Sequence, residues 1–128
     1  MSSCVLDASA ILAVLQNEPG NEVLTDEVLA ASVVSAVNLA EVQTSMVRRG
    51  VPPVEAWIRA RVPVTHVADF TEDQARVAGS LVAKTRTLGL SLGDRACLAL
   101  ALELGASVYT ADRTWKKLNL AIAIHFIR

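Results

Sequence analysis

Short apolar runs alternate with longer stretches of helical periodicity along the chain. Apolar residues without helical spacing predict strands, in SCVL, SVV, VPVTHVA, SVYT and LAIAIHFI. Apolar residues at helical spacing predict helices, in ASAILAVLQ, NEVLTDEVLAA, AVNLAEVQTSMVRRG, VEAWIRAR, TEDQARVAGSLVAKTRTLG and SLGDRACLALALELGA, with a short helical turn at DRTWKKL. Thr71 is predicted to cap the fifth helix, and Gly50 and Gly89 to end the third and the fifth. This alternation predicts an α/β domain with a mostly parallel central sheet of four or five strands, covered by helices on both faces.

Length and composition narrow the class of protein. The 128 residues fit one domain, so residues 1–128 are predicted to form a single unit without a linker. Although 52% of the residues are hydrophobic, no run approaches the roughly 18 apolar residues that a membrane helix needs, and we expect no membrane association. The N-terminal MSSCVLDASAILAVL has no Lys or Arg and contains Asp7, unlike a signal peptide, which favours a cytoplasmic protein. The net charge of −1 restricts any nucleic-acid site to a local surface.

The two cysteines are predicted to be reduced core thiols. Cys4 and Cys97 both lie among Val, Leu and Ala residues. Neither has a zinc-like spacing to His66 or His125.

Four acidic residues are predicted to meet at one edge of the sheet. Asp7 follows the SCVL strand, Asp112 follows SVYT, Glu41 lies early in the helix after SVV, and Asp94 lies in the first turn of the helix before SVYT. In open parallel sheets, sites form at the carboxyl ends of the strands, where the strand order reverses. All four carboxylates can converge there.

Each acid alone also fits a purely structural role. Asp7 and Asp112 are candidate helix N-caps, Asp94 is a candidate partner of Ser91 in a capping box, and Glu41 is a candidate solvated helix position. Four carboxylates in a small space cannot all ionise comfortably, and Mg²⁺ or Mn²⁺ would relieve that conflict because these ions prefer oxygen ligands. A metal so held activates water and neutralises charge on a phosphate. Phosphodiester hydrolysis is therefore the leading hypothesis.

Four segments carry a resemblance to a known family. VLDASAIL, SAVNLAEV, LSLGDRACLALA and VYTADRTW resemble the acidic motifs of PIN-domain ribonucleases, most closely the VapC-type toxins of bacterial toxin-antitoxin pairs. The resemblance covers nearly the whole chain. It implies a three-layer α/β/α fold and a metal-dependent endoribonuclease that acts as the toxin of a VapBC-type pair. It also implies a homodimer, an RNA substrate and a cognate antitoxin protein that blocks the site.

The resemblance also implies roles for single residues. Asp7, Glu41, Asp94 and Asp112 would be the catalytic acids, with Asp7 and Asp94 as the best candidates for direct ligands of Mg²⁺ or Mn²⁺. Asp112 would bind the metal directly, or, like Glu41, act through water to orient the nucleophile or complete a second metal site. The hydroxyls of Ser9 and Thr110 would support the carboxylates or waters.

Substrate-binding residues are less well marked. Arg95, Arg113 and Lys116 lie near the motifs and are candidates for RNA phosphate contacts, as are Lys117, Arg48 and Arg49, but all fit equally well as solvated helix charges. Trp115 is a candidate for base stacking, although its apolar neighbours favour a packing role. Residues 50–71 match no motif, so their contribution to substrate choice stays open.

Two other functions compete with a nuclease. A phosphoacceptor signalling domain would need an adjacent acidic pair after the first strand, and a dehalogenase-like phosphatase would need a second Asp at position 9. Here Ala8 and Ser9 follow Asp7, so both are poor matches. A catalytically silent PIN-fold module that binds RNA or protein remains an alternative, but it would have no reason to retain all four acids.

Overall fold

A five-stranded sheet forms the centre of the computed structural model, which describes residues 3–128. The strands are β1 (Cys4–Leu6), β2 (Ser32–Ser35), β3 (His66–Ala68), β4 (Ser107–Thr110) and β5 (Ile124–Phe126). Their order is β3-β2-β1-β4-β5, and every neighbouring pair is parallel. The chain builds outward from β1 to β3 and then returns to place β4 on the free side of β1. The strand order therefore reverses between β1 and β4.

Seven α-helices connect the strands of the described chain. They are α1 (Ala8–Leu15), α2 (Asp26–Ala30), α3 (Ala36–Arg48), α4 (Pro53–Arg61), α5 (Glu72–Ser80), α6 (Val82–Thr85) and α7 (Leu92–Leu104). Short 3-10 helices span Asn21–Val23, Arg86–Leu88 and Arg113–Lys117. No helix within residues 3–128 has the length and apolar character needed to cross a membrane.

Helices cover both faces of the sheet. Alternate residues of β1 point to opposite sides, so Leu6 packs with α1, α3 and α4 whereas Val5 packs with α7. Both clusters are closed to solvent, as an all-parallel sheet requires. The predicted three-layer α/β/α fold is confirmed. Cys4 and Cys97 are both free and buried, as predicted.

Capping residues explain where the longer helices begin and end. Thr71 caps α5 by accepting a hydrogen bond from the Gln74 amide at 3.1 Å. Gly50 follows α3 with a φ of 96°, and Gly105 follows α7 with a φ of 61°, in the left-handed region that glycine adopts without strain. The predictions for Thr71 and Gly50 are confirmed, whereas Gly89 ends the 3-10 helix Arg86–Leu88 rather than the fifth helix.

Four elements are shorter than predicted. The helix predicted over TEDQARVAGSLVAKTRTLG breaks into α5, α6 and a 3-10 turn, because Gly79 and Ser80 are weak helix formers in its middle. NEVLTDEVLAA also breaks, because the Thr25 hydroxyl caps a new helix, α2, by accepting from the Val28 amide. VPVTHVA pairs only over β3, since Pro63 has no amide hydrogen for a ladder. LAIAIHFI pairs only over β5.

Candidate active site

The turn after β1 carries the most buried of the four acids. Asp7 is only 4% exposed and is the N-cap of α1. Its Oδ1 accepts hydrogen bonds from the Ala10 amide at 2.9 Å and from Ser9 Oγ at 2.7 Å. Its Oδ2 accepts one from Thr110 Oγ1 at 2.5 Å. These three donors hold the carboxylate in a single orientation.

Ser9 and Thr110 also tie the turn after β1 to the turn after β4. Ser9 Oγ accepts from the Ala111 amide at 2.9 Å, and Thr110 Oγ1 accepts from the Asp112 amide at 3.0 Å. Each hydroxyl therefore donates to Asp7 and accepts from the backbone beyond β4. The predicted supporting hydroxyls lie beside Asp7, at the point where the strand order reverses.

Burial dominates the electrostatics of Asp7. Loss of hydration raises the pKa of its carboxyl from 3.8 to about 6, while the hydrogen bonds from Thr110, Ser9 and Ala10 oppose that rise. The negative charge of Asp94 adds to the rise. A cation at this position would stabilise the ionised form.

Glu41 approaches the site from α3. Asn38, one turn earlier, donates from Nδ2 to Glu41 Oε1 at 2.8 Å and to the Gly93 carbonyl at 3.0 Å. Burial and the charge of Asp94 raise the pKa of Glu41, and the Asn38 hydrogen bond opposes them. Glu41 is therefore not the solvated helix residue that a purely structural role would predict.

Gly93 lets α7 approach Glu41 closely. A Cβ built on Gly93 would lie 2.2 Å from Glu41 Oε2. Any larger residue at this position would force the Glu41 carboxylate to move. Sequence reasoning singled out neither Gly93 nor Asn38 as functional residues, although both lie in the segments that carry the family resemblance.

Asp94 lies in the first turn of α7 and combines a capping role with proximity to the other acids. It forms the predicted capping box with Ser91, at 3.0 and 3.1 Å. Its negative charge also raises the pKa values of Asp7 and Glu41. Burial raises the pKa of the Cys97 thiol, and the charges of Asp7, Asp94 and Glu41 raise it further. Three acids therefore gather around one point of α7.

Asp112 is joined to this group through its backbone. Its carboxylate Oδ1 accepts from the Thr114 amide at 3.0 Å and from Thr114 Oγ1 at 2.7 Å. It caps the 3-10 helix that follows β4. The structure therefore brings Asp7, Glu41 and Asp94 together and engages Asp112 within its own turn.

The positions of the carboxylate oxygens decide whether this site could coordinate a divalent cation. Within residues 3–128, no three acidic, His or Cys side chains are placed to hold a metal ion together, so the predicted ligand trio of Asp7, Asp94 and Asp112 is not assembled. Mg²⁺, however, needs only one or two carboxylates besides water and phosphate oxygens. Two donors saturate Asp7 Oδ1, but Oδ2 has one, which leaves a lone pair for a cation. The residues fit a cation held through Asp7 Oδ2 with help from Asp94.

Three of the six predicted substrate-binding cations, Arg95, Arg113 and Lys116, have contacts within the chain. Arg95 donates to the Ala78 carbonyl at 2.9 Å, and Arg113 donates to the Arg128 carbonyl at 2.8 Å. Lys116 Nζ lies 5.7 Å from the centre of the Phe126 ring. These contacts favour structural roles over the predicted phosphate contacts. Trp115 is 1% exposed, so it packs in the core and cannot stack on a base.

The comparisons with known proteins agree with this fold. The chain resembles the DNA-bound VapBC from Salmonella typhimurium, with a TM-score of 0.78, 17% identity and 100% coverage of both chains. A toxin-antitoxin complex from Klebsiella pneumoniae gives 0.75 and 13% identity, with 98% of each chain covered. The sarcin-ricin loop cleaving VapC toxin from Mycobacterium tuberculosis gives 0.74 and 18% identity, covering 94% of this chain and 99% of that one. No curated protein matches the sequence. At these identities the structural likeness establishes a shared fold.

A family model shows more than the fold. The model for the PIN domain matches residues 4–120, which include all four acids and every strand but the last. The chain therefore belongs to the PIN domain family.

Proposed function

We propose that the protein is an endoribonuclease that depends on Mg²⁺ or Mn²⁺ and acts as the toxin of a VapBC-type pair. One observation carries the proposal: the buried Asp7 carboxylate lies at the strand-order reversal, and Asp94 is close enough to raise the pKa values of both Asp7 and Glu41. Membership of the PIN domain family and the fold likeness to VapBC structures support it.

The chemistry follows from what each side chain offers. Asp7 Oδ2 and Asp94 would hold the cation, which when bound lowers the pKa of water and neutralises charge on a phosphate. Ser9 and Thr110 keep Asp7 in one orientation for this purpose. Glu41 uses Oε1 for Asn38, and its raised pKa suits Oε2 to accept a proton from the attacking water.

Protein partners are a second part of the proposal. Helix α4 presents apolar side chains to solvent, with Val54 75%, Trp57 44% and Ile58 60% exposed. Adjacent exposed apolar residues mark surfaces that associate with protein. We propose that such surfaces serve a homodimer and a cognate antitoxin in the cytoplasm. We expect the antitoxin to be encoded by the reading frame adjacent to this gene. A strictly monomeric mass at micromolar concentration, both alone and mixed with that protein, would contradict this.

The decisive experiment joins cleavage to thermal unfolding. Chelator should abolish RNA cleavage, and Mg²⁺ or Mn²⁺ should restore it. A hundredfold excess of cation over its Kd should stabilise the folded protein by about 2.7 kcal/mol. Asp94→Asn should lose cleavage and most of this stabilisation, yet remain as stable as wild type in chelator, because an amide oxygen still accepts from the Ser91 amide.

Asp69→Asn is the matched control. Asp69 is exposed and follows β3, away from the reversal point, so its variant should respond to metal as wild type does. Cleavage that persists in chelator would disprove the metal mechanism.

A silent RNA- or protein-binding module is the second candidate. It is favoured by the capping roles of Asp7, Asp94 and Asp112, which explain these acids without a metal. That function predicts RNA or protein binding without cleavage at any metal concentration. A phosphoacceptor role is disfavoured, because Asp7 is buried and both of its oxygens accept hydrogen bonds.

A further inference from the structure

A groove beside the candidate active site is not explained by the four acids. It lies between α1 and α3 and has a volume of about 750 Å³. Glu41 forms part of its wall, Leu12 and Val37 line it with apolar surface, and Arg48 and Arg49 lie at its far end. The groove therefore extends from Glu41, one of the four acids, to two positive charges.

Arg48 and Arg49 differ from the other arginines near the motifs. Both are exposed, and within residues 3–128 neither guanidinium takes part in a hydrogen bond or an ion pair. By contrast, Arg95 and Arg113 each donate to a backbone carbonyl. The two groove arginines therefore have their full hydrogen-bonding capacity available for an anionic ligand.

The spacing along α3 matches a nucleic-acid strand. Arg48 follows Glu41 by seven residues, so it lies two turns away on the same helix face, at an axial distance of about 10 Å. Successive phosphates advance about 3.4 Å along the axis of a fully stacked strand, and farther in an extended one, so this distance spans roughly two or three nucleotides. A strand with one phosphate at the acids would thus place another beside the arginines.

We propose that this groove binds single-stranded RNA on one side of the scissile phosphate, and that Arg48 and Arg49 hold a backbone phosphate roughly two or three nucleotides away. The inference rests on the proposed ribonuclease function. Contacts to phosphates position a strand without reading its sequence, so these residues set register rather than base choice. A protein segment is the other candidate occupant, but the continuity of the groove with Glu41 favours the strand that would be cleaved.

The test compares two double variants with wild type. Arg48→Gln/Arg49→Gln removes both groove charges, and Arg76→Gln/Arg86→Gln removes two exposed charges from the α5 side of the sheet. Cleavage is measured on oligoribonucleotides of two and of eight nucleotides. For wild type, kcat/KM should be higher on the eight-nucleotide substrate than on the two-nucleotide one. In the groove variant this ratio should be smaller by about tenfold or more, mainly because KM for the longer substrate rises. The slope of log affinity against log salt should also fall by about 0.7 for each lost phosphate contact.

The outcomes separate the two proposals. If both double variants behave alike on the longer substrate, the groove does not bind RNA, although the ribonuclease function stands. If the groove variant cleaves normally but no longer binds the protein of the adjacent reading frame, the groove is a protein site and the RNA assignment is overturned. If wild type cleaves no RNA of either length, the ribonuclease function itself fails. Arg48→Lys/Arg49→Lys, which keeps the charges, should retain most of the wild-type ratio of kcat/KM values and guards against misfolding.

Discussion

The turns after β1 and β4 have the same local design and different environments. In each, an aspartate follows a strand and caps the helix that comes next, Asp7 for α1 and Asp112 for a 3-10 helix. Asp7 is 4% exposed and accepts hydrogen bonds from three donors, two of them from side chains. Asp112 is half-buried and accepts only from Thr114 of its own turn.

The difference comes from tertiary position rather than from capping. Asp7 directly follows the central strand, and Thr110 of β4 lies against it, so water is excluded and the pKa of Asp7 rises to about 6. Asp112 comes two residues after β4, where the chain has already turned away from the sheet. The same capping position is therefore half-exposed in the turn after β4 and buried, with a raised pKa, in the turn after β1.

The largest expected effect distinguishes the two turns by activity. Asp7→Asn should lower cleavage by about a hundredfold to a thousandfold, because in the proposed mechanism it removes the charge that would hold the metal. Asp112→Asn should lower it by about tenfold at most, since its carboxylate is engaged within the turn. Initial rates on one oligoribonucleotide in saturating Mg²⁺ check both. Equal losses in the two variants would contradict the comparison.

A second prediction uses the pH dependence of stability in chelator. The folded-state pKa of Asp7, about 6, exceeds the ordinary value of 3.8, so between these values the folded protein binds more protons than the unfolded chain. Stability from this group is therefore complete below pH 3.8 and is lost as the pH rises through about 6. The loss amounts to about 3 kcal/mol.

Urea unfolding at pH 4 and pH 7 measures this effect. The unfolding free energy of wild type minus that of Asp7→Asn should decrease when the pH is raised from 4 to 7. Asp112→Asn, at the half-buried cap of the other turn, is measured in the same way as the matched control. A flat difference for Asp7→Asn would mean that Asp7 is hydrated in the folded protein.

A third prediction concerns the link between the two turns. Thr110→Val removes the donor to Asp7 Oδ2 and the acceptor for the Asp112 amide, so it should destabilise the protein by about 1–3 kcal/mol. It should also raise the pKa of Asp7 further. Carboxyl NMR titration and urea unfolding measure the two effects. Thr44→Val is the control, because Thr44 is exposed and donates only to the Ala40 carbonyl; it should cost less than about 0.5 kcal/mol.

Sequence periodicity was sufficient for the architecture but not for the element lengths. Strand alternation and caps such as Thr71 and Ser91 are local signals, and they predicted the parallel sheet and most helix boundaries. The break at Leu81 was missed, because that residue is buried and packs against the α7 side, so its apolar spacing continued the helical pattern across the break. Periodicity indicates which side of a segment is buried, and two consecutive helices can bury the same side although the helix is broken between them.

The sequence predicted those site residues whose positions are determined by the order of the strands. Strand ends place Asp7 and the supporting hydroxyls, so their meeting followed from the sheet order. The contact between α3 and α7 depends on helix packing, which the sequence does not specify, and the roles of Asn38 and Gly93 were therefore missed. The direction of Arg95 toward Ala78 was missed for the same reason.

The smallest expected effect tests whether Asp112 is a cap alone. Asp112→Ala should lower the unfolding free energy by about 1 kcal/mol, the usual cost of losing an N-cap. Asp112→Asn should restore most of this loss, because an amide oxygen can accept from the Thr114 amide as the carboxylate does. Neither difference from wild type should change when chelator is replaced by excess Mg²⁺, since a group that does not bind the cation gains nothing from it. If Mg²⁺ widens the gap between wild type and Asp112→Ala, the Asp112 carboxylate is a metal ligand. The two turns would then contribute to one site despite their different burial.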